Sequence, residues 1–314
     1  MKPKIYFLMY DRDIVHGGFF DNFEYYYRVK QVFKDCDVKW RCITACSRDQ
    51  VLALLQDKYE RIEDKVWKDI EVLPHKINHF YRDPLMIDVL ICATNSAMYW
   101  FLENGNIQAA KWYIGLADWK DIHPKQNKYY KRHLILSDER VFDYGDQCNW
   151  MEYRKKILFD RFKQKDYPTG KYDYMLNLSL VERRFSKEWM YDLFEAYGRY
   201  HVSFGAYMGH KNKDYYSFLN DWDVDLVIPP IKDFMGLFNT FIYIPYRDGS
   251  DATPRLIPEC VYYEKDVDFY NRGFEDVKSG GYYRWNDTMK DDWMKLWLKQ
   301  DDQLMEHIDI CLSL

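Results

Sequence analysis

The sequence has 314 residues, 47% of them hydrophobic and 19% aromatic, which is ample material for packed cores and excludes a mainly disordered chain. This length favours two domains of roughly 150 residues over a single core. The net charge of −5 argues against a protein that binds nucleic acid through its overall charge, although it is compatible with a local basic face.

The cysteines and the apolar runs indicate the compartment. Seven cysteines are scattered along the chain without a CxxC pair, and Cys42 and Cys46 lack the second pair or histidine cluster that a metal site would need. Free thiols of this kind are typical of a reducing compartment. We find neither a signal peptide nor an apolar run of about 18 residues, so we expect a cytoplasmic protein without a membrane partner.

The first half of the chain alternates predicted strands with predicted helices. Apolar runs predict strands at residues 5–10, 38–44, 87–93, 109–116 and 133–137. One helix is predicted to end near residue 33, with Asp21 and Glu24 in capping-box spacing ahead of it, and others at 49–56 and 97–103. Residues 58–84 are expected to be irregular, and 151–165 has a basic helical pattern leading into the connection between domains. The alternation predicts a doubly wound α/β domain, whose ligand crevice lies at the carboxyl ends of its strands.

Glycines and polar side chains follow the first predicted strand. Gly17 and Gly18 lack the GxGxxG pattern, which counts against a dinucleotide-binding oxidoreductase. Because this loop follows the carboxyl end of a strand, Asp11, Asp13 and His16 are candidates to line the crevice beside the two glycines.

Asp118 follows the strand predicted at residues 109–116. A carboxylate in that position, close to Trp119 and partly desolvated, could act as a general base. The alternative interpretation is an ordinary N-cap or turn aspartate.

A basic and aromatic run occupies residues 120–133. Tyr129 and Tyr130 stand beside Lys131 and Arg132, and cations next to aromatic rings suit a phosphate backbone and an unstacked base. A solvated charged face is the alternative interpretation.

The second half of the chain begins again with a predicted strand, at residues 172–178. Arg183 and Arg184 follow in a loop, ahead of a helix with an apolar face that Gly198 closes. Two arginines before a helix are a phosphate-binding candidate, with a surface arginine pair as the alternative. Further strands are predicted at 201–207 and 226–228, and a short helix at 234–239.

Residues 241–259 combine a buried strand with a charged pair. An apolar run at 241–244 predicts the strand, and a loop punctuated by Pro245, Gly249 and Pro254 leads to Arg255 and Glu259. If Pro254 lies in the first turn of a helix, Arg255 and Glu259 share one helix face. An arginine suits phosphate and a carboxylate suits ribose hydroxyls, whereas the alternatives are a surface ion pair or a helix-start carboxylate. The chain beyond is expected to be loop-rich up to a final amphipathic helix at 286–305.

These elements predict an α/β protein with two Rossmann-like doubly wound domains that face a central cleft. The first domain spans residues 1–168 and the second 169–314, and the last helix could return to pack on the first domain. Arg183, Arg184, Arg255 and Glu259 all fall at predicted strand ends of the second domain, with Asp118 and the first glycine loop facing them.

This arrangement resembles the GT-B glycosyltransferases, and within them the DNA β-glucosyltransferases of T-even-like bacteriophages. The stretch Leu-Ile-Cys-Ala-Thr-Asn-Ser at 90–96 is similar to that family's strand ending in Asn-Ser. The stretch Trp-Tyr-Ile-Gly-Leu-Ala-Asp at 112–118 is similar to its aromatic strand ending in the catalytic aspartate. Arg255 and Glu259 resemble its Arg and Glu pair, and Arg183 and Arg184 fall where the family has phosphate-binding arginines.

The resemblance implies an inverting transfer of a sugar from a nucleotide-diphosphate donor, expected to be a UDP-sugar, to the hydroxyl of 5-hydroxymethylcytosine in phage DNA. It implies that Asp118 is the base and that Glu259 holds the ribose. The implied diphosphate ligands are Arg183, Arg184 and Arg255. The candidate acceptor contacts, which follow from the first glycine loop and the basic and aromatic run, are Asp11, His16, Gly17, Gly18, Tyr129, Lys131 and Arg132.

Several alternatives stay open at this point. Arg255 and Glu259 are four positions apart where the family spacing is three, so glucose and a pentose such as arabinose are both candidate donor sugars. With three arginines on the diphosphate, no cofactor is obligatory, although a divalent metal is possible. The rival functions are a GT-B transferase acting on a glycan, lipid or protein, and a non-catalytic nucleic-acid-binding protein. A phage-encoded enzyme would work in the host cytoplasm.

Overall fold

The structure is a computed structural model of the chain. It describes residues 1–10, 17–74, 87–92, 110–116, 133–137, 149–152, 157–178, 187–198, 200–207, 219, 222–228, 231–244, 255–270 and 303–313. The chain divides into two compact units. Unit 1 comprises Met1–Phe162 and Leu298–Leu314, and unit 2 comprises Lys163–Trp297.

Unit 1 is built on a parallel sheet of seven strands in the order β3-β2-β1-β4-β5-β6-β7. The strands are β1 (Lys4–Tyr10), β2 (Asp37–Thr44), β3 (Ile70–Pro74), β4 (Ile87–Cys92), β5 (Ala110–Leu116), β6 (His133–Ser137) and β7 (Asn149–Glu152). The helices described in this unit are α1 (Gly17–Val32), α2 (Arg48–Lys58), α3 (Asp64–Lys68) and α6 (Gln303–Ser313). The first predicted strand is central, as expected, because β1 pairs with β2 on one side and β4 on the other.

The core of unit 1 is aromatic. Phe19 and Phe23 of α1 lie against Trp40 of β2, with ring centroids 5.4 and 5.7 Å apart. All three rings are fully buried. Helix α6 lies against β4 and buries Leu304 and Ile308, so the last helix belongs to unit 1. The helix predicted at 286–305 lies almost wholly outside the described residues, and α6 begins near its predicted end.

Buried carboxylates in α1 correct the capping-box prediction. The helix begins at Gly17, so Gly17 and Gly18 form its first turn, while Asp21 and Glu24 lie inside it and are buried. The Glu24 carboxylate accepts hydrogen bonds from the Tyr59 hydroxyl (2.5 Å) and from the backbone N–H of Leu158 (2.9 Å). Glu24 therefore joins α1 to the end of α2 and to the segment after β7, and does not cap a helix.

Two other predictions for unit 1 are wrong. Residues 58–84 contain α3 and β3, and residues 151–165 contain the end of β7 and a 3₁₀ turn at Phe159–Arg161 in place of a helix. In each case a short segment pairs with the edge of the sheet, β3 with β2 and β7 with β6. Pairing satisfies the backbone polar groups of such segments and overrides a weak local preference.

Unit 2 is built on a parallel sheet of five strands in the order β10-β9-β8-β11-β12. The strands are β8 (Tyr172–Asn177), β9 (Phe204–Tyr207), β10 (Val224–Val227), β11 (Phe238–Tyr243) and β12 (Asp266–Phe269). The helices described here are α4 (Lys187–Ala196) and α5 (Leu256–Tyr262). Strand β12 lies in the stretch predicted to be loop-rich, which corrects that expectation, and the short helix predicted at 234–239 is a 3₁₀ turn at Phe234–Gly236.

Both faces of the second sheet are buried. Leu176 and Ile242 pack with Met190 of α4 on one face, and Met175 and Phe241 pack with residues of α5 on the other. Alternate residues of β8 and β11 thus point into two different cores, as in a doubly wound parallel sheet.

The two helices described in unit 2 end through left-handed residues. Gly198 has φ +69° after α4, as its sequence position predicted. Helix α5 ends in a Schellman motif, in which Lys265 N–H donates to Cys260 O (2.8 Å) and Glu264 N–H to Val261 O (3.1 Å). Glu264 occupies the left-handed position with φ 56°, which is unfavourable for a residue with a Cβ.

Replacing Glu264 with Gly should raise the free energy of unfolding by about 1 kcal/mol, because glycine adopts this conformation without the Cβ penalty. Urea denaturation followed by circular dichroism measures the change. The control is Glu195→Gly at an exposed position of α4, which should lower the free energy of unfolding by about 1 kcal/mol. A loss of stability in both variants would contradict the prediction.

Replacing Glu24 with Ala should lower the free energy of unfolding by about 2–4 kcal/mol, because two buried donors lose their acceptor. Asp160, whose side chain is 69% exposed, provides the control, and Asp160→Ala should stay within about 0.5 kcal/mol of the parent. Equal effects of the two substitutions would show that Glu24 does not join these segments.

Candidate functional site

The carboxyl ends of the strands in unit 2 meet at one edge of the sheet. Asn177 at the end of β8 pairs with Tyr207 at the end of β9, and Tyr243 at the end of β11 pairs with Phe269 at the end of β12. In parallel sheets covered on both faces, ligands bind at this edge. The chain leaves β11 here, and the next residue that the structure describes after Ile244 is Arg255.

Helix α5 follows Arg255 and has a proline in its first turn. Arg255 is the N-cap residue and has φ −55° and ψ −29°, which is already helical. Pro258 is tolerated because the first N–H groups of a helix have no intrahelical partner. Pro254, which the sequence placed at the helix start, lies outside the described residues.

Arg255 and Glu259 form a buried ion pair. The Nε–H of Arg255 donates to Oε1 of Glu259 one helical turn later, and the two side chains are only 3% and 6% exposed. The prediction that both lie on one helix face is confirmed. The alternative of a surface ion pair is wrong, because water reaches almost none of either side chain.

The contact with Glu259 fixes the plane of the Arg255 guanidinium. A guanidinium carries five N–H donors in a rigid fork, and a contact at Nε sets the direction of the whole fork. Burial makes each of its interactions stronger than in water, since the local dielectric constant is low. The contact therefore orients the buried guanidinium, and the pair is neutral as a unit.

Most of the other predicted site residues lie outside the part of the chain that the structure describes. Gly17 and Gly18 are described, half-buried at the start of α1. The predicted residues that lie outside it are Asp11, His16, Asp118, Tyr129, Lys131, Arg132, Arg183 and Arg184. In sequence, Arg183 and Arg184 fall between β8 and α4, and Asp118 falls shortly after β5.

Sequence reasoning missed Asn177, which the fold places at the carboxyl edge. It is the last residue of β8 and is half-buried, and its neighbour Leu178 donates its backbone N–H to Tyr207 O at 2.8 Å. The available signal was a single amide at the end of an apolar run. An amide at this edge offers both a donor and an acceptor to a ligand.

Within the described ranges, no group of three or more His, Cys, Asp and Glu side chains could hold a metal ion. In the same ranges, no helix is long and apolar enough to cross a membrane.

Sequence comparisons find no relatives. No protein-family model matches the chain, and neither does any curated protein.

Comparison with solved structures finds glycosyltransferases. An α-glucosyltransferase in complex with UDP-glucose and DNA containing an abasic site is 9% identical, with a TM-score of 0.55 over 99% of this chain and 100% of that one. A glycosyltransferase from Rickettsia africae ESF-5 is 14% identical, with a TM-score of 0.47 over 99% of this chain and 88% of that one. A lipopolysaccharide outer core galactosyltransferase is 12% identical, with a TM-score of 0.42 over 93% and 88% of the two chains.

The first of these matches extends over the full length of both chains at a TM-score above 0.5. Together with two parallel sheets in two units, it confirms the predicted α/β architecture of two Rossmann-like domains. The chain has the GT-B fold.

Replacing Glu259 with Ala should lower the free energy of unfolding by about 3–5 kcal/mol, because it leaves the buried Arg255 guanidinium without its carboxylate. The double variant Arg255→Met/Glu259→Leu should recover most of this loss, since it removes both charges. Urea denaturation of Arg255→Met, Glu259→Leu and the double variant completes the cycle. Additive losses would mean that the two charges are not coupled.

Proposed function

We propose that this protein is a glycosyltransferase that takes a sugar from a nucleotide-diphosphate donor bound by unit 2. The observation that carries the proposal is the buried Arg255–Glu259 pair beyond the strand end of β11 in a GT-B fold. A buried ion pair contributes little net stability compared with apolar residues of similar size. Its presence at the ligand edge is therefore better explained by binding than by folding.

Arg255 and Glu259 bind different parts of the donor. The guanidinium fork of Arg255 matches two oxygens of a diphosphate, and the Glu259 carboxylate accepts from ribose hydroxyls. Arg183 and Arg184 add positive charge from the segment between β8 and α4. Three guanidinium groups on one diphosphate make a divalent metal unnecessary, so transfer is expected to survive EDTA.

The chemical step is an inverting displacement at the anomeric carbon. The acceptor hydroxyl loses its proton to the Asp118 carboxylate while its oxygen forms a bond to the anomeric carbon. The bond from that carbon to the diphosphate oxygen breaks on the opposite face. Arg183, Arg184 and Arg255 stabilise the charge that grows on the leaving nucleotide.

The acceptor we favour is the hydroxyl of 5-hydroxymethylcytosine in phage DNA. Support comes from the similarity in fold to the α-glucosyltransferase solved in complex with UDP-glucose and DNA containing an abasic site. On this chain, the basic and aromatic run with Tyr129, Lys131 and Arg132 supplies charge and stacking surfaces for a strand with one base out of the stack. Asp11, His16 and the Gly17-Gly18 pair would complete the acceptor side. UDP-glucose and a UDP-pentose are the donors to test.

A second candidate function is transfer to a glycan, lipid or protein. The net charge of −5 favours it, because DNA-binding proteins usually carry a positive balance. Mass spectrometry of hydroxymethylcytosine DNA after incubation with several nucleotide-sugars separates the two candidates. A sugar-sized mass increase supports DNA, and unchanged DNA with hydrolysed or transferred donor supports another acceptor.

Replacing Asp118 with Ala should abolish transfer, because the acceptor hydroxyl loses its base, while donor binding persists. Initial rates measure transfer, and the thermal shift with UDP-glucose measures binding. Asp118→Asn is the matched control, since it keeps the shape and removes the basicity. Unchanged turnover in either variant would remove Asp118 from the base role.

If duplex DNA is the acceptor, its affinity should fall by about tenfold or more between 50 and 200 mM salt, because binding releases counterions from the phosphates. Fluorescence anisotropy with labelled duplex measures this dependence. A flat response would favour a neutral acceptor or a non-nucleic-acid substrate.

A further inference from the structure

The far end of α5 is tied to the segment through which the chain enters unit 2, residues 163–170. The Tyr263 hydroxyl donates to Lys163 O at 3.5 Å, and the Tyr263 ring lies edge-on to Tyr167 with centroids 5.5 Å apart. Lys265 Nζ donates to Tyr167 O at 2.6 Å. We call this set of contacts the α5 clamp.

The cation in the α5 clamp is buried and donates to a backbone carbonyl, while the Asp166 carboxylate acts on it only through a longer-range electrostatic attraction. Lys265 is 6% exposed, and within the described part of the chain its ammonium contacts a backbone carbonyl and forms no ion pair. Burial lowers the pKa of Lys265 below its ordinary value. A buried ammonium with a carbonyl partner stabilises a fold less than an apolar side chain of the same length, because the apolar side chain avoids the desolvation penalty.

The segment that the clamp contacts is itself held firmly to unit 2. Lys165 forms an ion pair with Asp233 at 2.6 Å, and the backbone N–H of Gly170 donates to the Asn239 side chain at 2.7 Å. The Tyr167 ring lies so close to Gly236 that a Cβ there would come within 2.8 Å of it. The clamp therefore fixes α5 to a rigid support.

Arg255 precedes α5 as its N-cap residue, and Glu259 lies in the middle of the helix, one turn before Tyr263. Helix α5 has seven residues, and a helix of that length spans about 10 Å. The Schellman motif continues its hydrogen bonding directly into Lys265, so a movement of Lys265 displaces the whole helix. Displacements of about 1 Å at a binding group are enough to cost substantial affinity.

We propose that Lys265 and Tyr263 are positioning residues that hold Arg255 and Glu259 in place for the donor diphosphate. This inference rests on the proposed function, because it takes the buried pair to be the donor-binding group. Tyr263 is joined to Glu259 through the helix backbone, since its N–H donates to Glu259 O at 3.1 Å, and Lys265 continues the same hydrogen-bonded chain, so both act through the helix.

The decisive variant is Lys265→Met, which keeps the length of the side chain and removes the amine. We expect UDP to bind about tenfold more weakly by calorimetry, and the α5 amides of the unliganded protein to exchange about tenfold faster. The urea midpoint should stay unchanged or rise, because a buried charge is lost. A merely structural role predicts the reverse, a lower midpoint with unchanged affinity in the folded protein.

Lys171→Met is the matched control. Lys171 belongs to the same unit and contacts Tyr172 and Asp225, but it has no contact with the clamp. UDP affinity and α5 exchange should be unaffected in this variant. Tyr263→Leu is a second test of the clamp, since it removes the ring contact from a half-buried position and should weaken UDP binding in the same direction.

Unchanged α5 exchange in Lys265→Met would overturn the clamp, and faster exchange with unchanged UDP affinity would overturn the positioning role. Titration of the parent protein comes first. If the parent binds neither UDP nor another nucleoside diphosphate, the proposed function fails and the positioning role fails with it, whatever the exchange data show.

Discussion

A guanidinium and a carboxylate that are both almost wholly removed from water are stable only together. Arg255 and Glu259 meet this condition within a single turn of α5, and their contact ties the side chain of the helix start to the next turn. Either charge alone would carry a desolvation penalty of several kcal/mol. The pair therefore depends on the packing of unit 2 that keeps water away from both side chains.

The parallel sheet explains why this pair lies at a ligand edge. All strands of unit 2 run in the same direction, so β8, β9, β11 and β12 end together, and each connecting segment must start at that edge. Helix α5 then runs back and buries Ile257 and Cys260 against the sheet. The apolar face of the helix sets its position, and with it the position of its N-cap residue, Arg255.

The sequence predicted most of the strands because their apolar runs are long compared with their neighbours. Strands β1, β2, β4, β5, β6 and β8 agree with prediction to within one or two residues. Strands β3, β7 and β12 were not predicted. Each has four or five residues at a sheet edge and depends on pairing with a distant segment. Local patterns do not contain that information.

Within the candidate site, spacing alone predicted that Arg255 and Glu259 share a face, because helix geometry places positions four apart together. Their burial depended on tertiary packing and was invisible in the sequence. The capping-box prediction for Glu24 was wrong for a related reason, because its hydrogen-bond partners Tyr59 and Leu158 are remote in the chain. The sequence did not predict the Schellman motif, because the left-handed residue of the motif is Glu264 and not the usual glycine.

The return of α6 to unit 1 has a consequence for synthesis on the ribosome. Leu304 and Ile308, which cover β4, are translated only after all of unit 2. Unit 1 therefore emerges first but waits for its last helix, while unit 2 can fold as a continuous insertion. During that interval α6 does not yet cover the apolar surface of β4, and exposed surface of this kind promotes aggregation.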